Sequence, residues 1–414
     1  MAAVLAAAAA HAQEHRFNPQ LATSWAYTNN VAYIDPKIYV DPEDAVDASD
    51  QYWVFGVSLP YTRSTPRGDS LSLSYNGAYS KYDEFTGLDS WDHSASLQSS
   101  VNVTRANKLN LGLYYSDTQI QGASLFTPSD LPSQLLSYRT RRESFGASIG
   151  FSAQPRRLWS YGIDGRFNRS LVDPIEGFEP PPGLFLEIEN QDFYQLGMRV
   201  ARDVAEKTSV GLDYRYMFID YEISGEESYH RLGATWEREF TRFTTFGVLA
   251  GAYARDFEAE PDTVGVESKS EVGLALDFNL LYTRPIGNMQ IGVDFGIRPG
   301  AGDVLRGSSI EAFVESSLSS GETYRAWSWT ALARYTHREP FASDASRSDT
   351  FGVAGFAEYR PQGWLDGLFG LRAGANWQDQ GVGATGGNTL VVREANYYTA
   401  YVAGVLYPLY RRYR

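Results

Sequence analysis

Thr208–Phe218 reads TSVGLDYRYMF, and taken two residues at a time it separates into two unlike faces. Val210, Leu212, Tyr214, Tyr216 and Phe218 fall on one side, and Gly211, Asp213, Arg215 and Met217 on the other. That is the period of a β-strand, and an apolar face set against a small and charged face means that the two sides meet different solvents.

The same alternation runs outward in both directions. Ser70–Ser80 sets Leu71, Leu73, Tyr75 and Tyr79 against Ser72, Ser74, Asn76 and Ala78, and Trp159–Asn168 sets Trp159, Tyr161, Ile163 and Phe167 against Ser160, Gly162, Asp164 and Arg166. It recurs at Leu109–Ser116, Tyr194–Ala201, His230–Glu237, Val272–Thr283, Met289–Arg298, Leu368–Trp377 and Tyr397–Tyr407. One such strand fits any half-buried sheet. Carried through nearly the whole chain with few continuously apolar core strands, the pattern predicts an all-β, transmembrane antiparallel up-and-down β-barrel. After the N-terminus no run of about 18 apolar residues occurs, which excludes a helical membrane protein. Aromatics at 14% and 38 glycines suit interfacial girdles and small inward positions.

Connections between the strands alternate between two kinds. Short turns are expected at Ser64–Asp69, Thr104–Lys108, Ala153–Arg157, Asp203–Lys207 and Phe240–Phe243, and longer loops at Asp35–Asp50, Asp117–Ser137, Asp173–Asn190, His337–Asp349 and Gln380–Leu390. Counting both rims gives about 18 strands, or 16 if one hairpin is misread, with short periplasmic turns, long extracellular loops and both termini periplasmic. Leu21–Tyr33 and Ala395–Tyr407 are the first and last strands, and pairing them removes both sheet edges.

The opening MAAVLAAAAAHA is a short apolar stretch ending in Ala10-His11-Ala12, the form of a signal-peptidase site. Residues 1–12 therefore read as a signal peptide and 13–414 as a single outer-membrane barrel domain; a short N-terminal helix is the bland alternative. The sequence holds no cysteine, which rules out a disulfide scaffold, a thiolate metal site and a lipoprotein anchor. A net charge of -14 argues against nucleic acid as a partner, since phosphate binding needs a basic surface. Outer-membrane lipid and lipopolysaccharide are the expected surroundings.

On the inward parity lie Asp164, Arg166, Arg199, Asp213, Arg215, Arg231, Glu237, Asp277, Asp294, Arg298, Glu311, Glu315 and Arg372, the candidate lumen-lining residues. Isolated charges there would be prohibitive, so they are hydrated or paired across strands. A hydrophilic conduit and a set of structural ion pairs explain them equally. The acid-rich and proline-rich Asp173–Asn190 loop reads either as a constriction or as a surface loop. DPEDAVDASD at Asp41–Asp50 lacks the ordered ligand spacing and turn glycine of a calcium loop and reads as a solvated acidic loop. Outside the leader the histidines are His15, His93, His230 and His337, of which His93 beside Ser94 and His337 near Asp344 fall close to long loops. Sequence adjacency is no triad. No nucleotide, dinucleotide, zinc-protease or nucleophile-elbow motif occurs, so neither catalysis nor a cofactor or metal is expected.

Two stretches carry a family likeness. LATSWAYTNNVAYID at Leu21–Asp35 and EREFTRFTTFGVLAGAYARDF at Glu237–Phe257 resemble the opening strand and the Arg/Tyr-punctuated hairpins of the β-barrel porin type 2 family, the EpsL-like barrels found with exopolysaccharide export genes. The resemblance implies passage of a polysaccharide cargo across the outer membrane beside periplasmic export proteins, and it assigns no catalytic residues. A general or solute-specific diffusion porin and a scaffold sheathing a periplasmic or electron-transfer partner are the alternatives.

Overall fold

The computed structural model describes residues 14–29, 49–119, 140–156, 158–174, 190–223, 225–260, 268–284, 289–300, 309–320, 327–340, 347–360, 369–386 and 389–406. Its strand segments are β1 (Glu14–Phe17), β2 (Gln20–Thr28), β3 (Asp50–Ser58), β4 (Tyr61–Ser64), β5 (Ser70–Tyr82), β6 (Ser90–Asn102), β7 (Asn107–Gln119), β8 (Thr140–Arg156), β9 (Trp159–Pro174) and β10 (Gln191–Ala205). They continue with β11 (Thr208–Tyr221), β12 (Gly225–Thr241), β13 (Thr244–Ala259), β14 (Lys269–Arg284), β15 (Met289–Gly300), β16 (Ser309–Ser320), β17 (Trp327–Pro340), β18 (Arg347–Tyr359), β19 (Phe369–Gly386) and β20 (Thr389–Leu406).

All of them join one antiparallel sheet, and β20 returns to pair with β2, which closes it. The twenty segments make a barrel of 18 staves, because β1 with β2 and β3 with β4 are each one stave interrupted by proline. The interruptions, Asn18-Pro19 and Leu59-Pro60, lie side by side. Proline has no ladder N–H, so strand pairing lapses there. The register resumes unchanged, with Phe17 opposite Tyr61 and Gln20 opposite Ser58. The first stave thus starts before the expected Leu21, since one missing donor breaks a strand without redirecting it.

Two of the expected long loops contract for a related reason. β17 runs to Pro340 and β18 begins at Arg347, while β19 runs to Gly386 and β20 begins at Thr389. Ladder bonds need no apolar side chains, so pairing continues past the apolar band, for example between Gly383 and Val392. The expected turn at Asp203–Lys207 tightens to Glu206-Lys207 with an adjacent β-bulge, and Lys207 takes a left-handed φ of 65°. β1 begins and β20 ends at the rim of the short turns. The leader, the Asp173–Asn190 loop from 175 to 189 and the tail from 407 lie outside the described residues.

Burial follows the two-residue period. Leu212, Leu232, Val272 and Leu274 are 58%, 57%, 77% and 69% exposed and stand on the outer wall, where a tall apolar band encircles the barrel. Aromatic pairs mark its edges, Tyr79 with Trp91 towards the long-loop rim and Trp327 with Tyr359 towards the other, ring centroids 4.9 and 4.7 Å apart. Charges begin beyond them. Arg141 with Asp117 and Arg169 with Asp192 pair at the long-loop side, at 2.6 and 3.6 Å. Arg202 and Arg238 lie over Trp159 and Phe240 at the short-turn side. This is the profile of a wall that meets hydrocarbon between two wet interfaces.

Candidate functional site: the inner face of the barrel

The inner face divides into arcs of different chemistry. Where the barrel closes, Ala22, Ala26, Tyr52, Val54, Tyr82, Ala403 and Val405 form a buried apolar cluster with Leu88, which reaches it from the short Thr86–Leu88 turn. Asp50 holds that turn in place. It is 4% exposed, and its carboxylate accepts the backbone N–H of Glu84 at 3.2 Å and of Phe85 at 3.0 Å. The expectation of a solvated acidic loop is therefore corrected at Asp50, whose charge is spent on backbone donors; residues 41–48 lie outside the described residues.

Beside this arc, β5 and β6 present a wall of hydroxyls and amides. Ser72, Ser74, Asn76 and Ser80 face the same way as Ser94, Ser96, Gln98 and Ser100, with Ser74 and Ser96 hydroxyls 2.7 Å apart. Alternation makes this wall, because most of the inward residues of both strands are small or polar, Ala78 and Tyr82 joining the apolar cluster instead.

The charged positions follow from β9 onward, and the registers place all thirteen candidates on the inner parity. Arg166 stands midway along β9 and Arg215 midway along β11; Arg231, on β12, is directly opposite Arg215. Asp213 lies one inward step from Arg215, and its carboxylate takes Arg231 Nη2 at 2.7 Å. Asp164 leans over the bare Cα of Gly197, which is its partner across the β9–β10 ladder. Arg199 approaches Glu237 at 3.7 Å.

Further round, acids dominate. Asp294 and Glu315 are direct partners across β15 and β16, Asp277 occupies the inner parity of β14, and Asn279 donates to Asp294. Arg334 reaches Glu315 at 3.8 Å. Arg372 pairs with Glu358 at 3.3 Å. Arg298 and Glu311 are opposite each other in the β15–β16 register, and only their backbone placement is described.

The most buried ion pair among the described residues escaped the candidate set. Arg255 Nε donates to Glu227 Oε1 at 2.6 Å with side chains 0% and 3% exposed, and Tyr221 Oη adds a contact to Glu227 Oε2 at 3.4 Å. Parity alone could have found it, since Arg255 is two residues from Tyr253 and Glu227 four from Arg231 on the same face.

Each histidine suspected of chemistry faces the outer wall. His93 Nδ1 meets Tyr75 Oη at 2.8 Å, while Ser94, the next residue in a strand, points the opposite way. His337 Nδ1 meets Asp349 at 2.9 Å; Asp344 lies outside the described residues. The sequence neighbours His93 and Ser94 thus do not converge on a common site.

No protein-family model and no curated protein matches the chain. Among solved structures, the ferric-catecholate import receptor Fiu of E. coli K12 in its closed form aligns with a TM-score of 0.48 and 8% identity, covering 94% of this chain and 81% of that one. OccK2 of Pseudomonas aeruginosa aligns at 0.46 with 13% identity, covering 95% and 98%. OccAB4 of Acinetobacter baumannii aligns at 0.43 with 11% identity, covering 94% and 98%.

Proposed function

We propose that this chain is an outer-membrane conduit through which a polysaccharide leaves the cell. The observation that carries the reading is the contrast between the walls of the same strands: an apolar band outside, and inside it, away from the apolar cluster at the closure, a polar surface of serines, amides and charges. Only a barrel standing in a bilayer with water in its bore gains from that inversion.

Size supports a polymer as cargo. Eighteen staves about 4.8 Å apart, tilted by about 40°, set a backbone diameter of roughly 35 Å, wide enough for a hydrated glycan strand after side chains are placed. Chemistry supports it too, since the hydroxyl and amide wall of β5 and β6 offers both donors and acceptors to sugar hydroxyls at most of its inward positions. The resemblance of Leu21–Asp35 and Glu237–Phe257 to the EpsL-like barrels points to the same cargo. On this reading the short-turn rim and both chain ends are periplasmic, where export proteins would deliver the polymer.

The test is single-channel conductance of the refolded protein in planar bilayers, with and without glycan oligomers. A steady conductance on the order of a nanosiemens that oligomers block supports the conduit. Conductance indifferent to every glycan but carrying small solutes would replace it with a diffusion porin, and a silent barrel would sink a constitutively open bore.

A further inference from the structure

Resting on the conduit reading, we propose that the inner wall of β9–β12 is an anion-binding track and that the cargo carries carboxylates, as an acidic polysaccharide does. The reason lies in how unevenly the inner charges are satisfied.

Arg166, Arg215 and Arg231 stand near the middle of their strands, on three staves of four. Arg215 and Arg231 are direct cross-strand partners, a like-charge juxtaposition that sheets otherwise avoid. Asp213 neutralises Arg231 at 2.7 Å. Among the described residues no acid lies within ion-pair distance of Arg215 or of Arg166. Arg215 Nε is buried and has no hydrogen-bond partner. Arg166 is held over the Tyr114 ring, 5.7 Å from its centroid, which orients a guanidinium without discharging it. Arg166 on β9 and Arg215 on β11, neither in an ion pair among the described residues, with Arg231 next to Arg215 on β12 and Asp164 turned over Gly197, make a receptor for bidentate oxyanions such as carboxylates.

The acids of the neighbouring arc do not cancel this surface. Glu315 already has Arg334, and Asp294 has Asn279. Arg215 on β11 is three staves from Asp277 on β14 and five from Glu315 on β16, which in a barrel of this size puts those acids roughly 18–27 Å away, about two to three Debye lengths in a salt-filled bore. Each arc therefore acts by itself on what passes it. A chain of uronate-like sugars would follow the basic arc with its carboxylates while its hydroxyls meet water or the serine wall.

The decisive comparison uses oligogalacturonate and a neutral maltooligosaccharide of equal length as channel blockers, together with the reversal potential in a potassium chloride gradient. Wild type is expected to prefer anions and to be blocked by the acidic oligomer at about a tenfold lower concentration than by the neutral one. Arg166→Gln/Arg215→Gln removes both preferences, Arg166→Lys/Arg215→Lys restores the ion preference, and Asp294→Asn/Glu315→Gln retains both. Heat-modifiable migration on gels verifies that each variant is folded. Equal block by the two oligomers, or an Arg166→Gln/Arg215→Gln variant that behaves as wild type, overturns the track and leaves the conduit standing. Anion preference with no block by either oligomer overturns the carboxylate cargo and the conduit together. If no current flows, calorimetric titration of the two oligomers into detergent-solubilised protein decides between the same outcomes.

Discussion

Tyr214 Oη and His230 Nδ1 lie 2.9 Å apart on the outer wall, and the pair is diagonal across the β11–β12 ladder, with His230 directly opposite Tyr216. Tyr75 with His93 and Tyr61 with His15 repeat it, each at 2.8 Å and each between adjacent staves. Hydrocarbon offers no hydrogen bonds, so an imidazole on that wall needs its partner within the protein. Tyr214→Phe is expected to destabilise the barrel by about 1 kcal/mol, and the double variant Tyr214→Phe/His230→Leu to recover most of that loss, because it removes both polar partners. Urea unfolding in lipid vesicles, followed by tryptophan fluorescence, measures both; a double variant no more stable than the single one would refute the pairing.

Glu227 and Arg255 make the opposite case, a charge pair hidden from both solvents. Glu227→Ala strips the carboxylate from a fully buried guanidinium and is expected to lower unfolding stability by about 3–5 kcal/mol. The exposed pair Arg199 with Glu237 should differ sharply, with Glu237→Ala changing stability by less than about 1 kcal/mol. Equal effects at the two sites would show that Glu227 is solvated in the bilayer-embedded protein.

Leu212→Arg places a charge on the lipid wall and is expected to lower stability by about 2–4 kcal/mol, with reduced insertion into vesicles. Ser96→Arg, facing the bore, is expected to insert as wild type and to alter conductance. Reversal of this contrast would exchange the inner and outer faces.

Lys207 occupies the left-handed region that non-glycine residues avoid, while its carbonyl accepts Glu239 N–H at 2.9 Å. Lys207→Gly is expected to raise stability by about 1 kcal/mol through relief of that strain. A loss instead would mean that the lysine side chain contributes at the rim.

Much of this architecture was legible in sequence because one period governs it. TSVGLDYRYMF sorts its residues in the structure as it does on paper, and the same parity carries Arg166, Arg231 and Glu315 to the inner wall. What escaped depends on contacts between segments remote in sequence. Asp50 looks like one more acid in DPEDAVDASD until the turn after β5 brings two backbone amides to it. Likewise Pro19 gives no hint that Pro60 will stand beside it on the adjoining stave. Arg166 and Arg215 could be assigned to a face from spacing, but that no acid among the described residues pairs with them emerges only once every strand has its register.

β19 and β20 share a register running from Phe369 with Leu406 to Gly386 with Thr389, whereas among the described residues β2 meets β20 from Leu21 with Leu406 to Thr28 with Thr399, extended by Asn29, whose amide oxygen takes the Tyr398 N–H at 2.6 Å. Among the described residues the hoop is therefore sewn shut by its shortest stitch, between residues almost a full chain length apart. Loop-closure entropy makes such a contact the last to form, so a chain still being delivered must persist as an unsealed sheet, with a raw edge at β2, until its final strand arrives. Under lateral tension the same stitch is where the hoop would part first, which makes the seam, and not the bore, the mechanical weak point of the molecule.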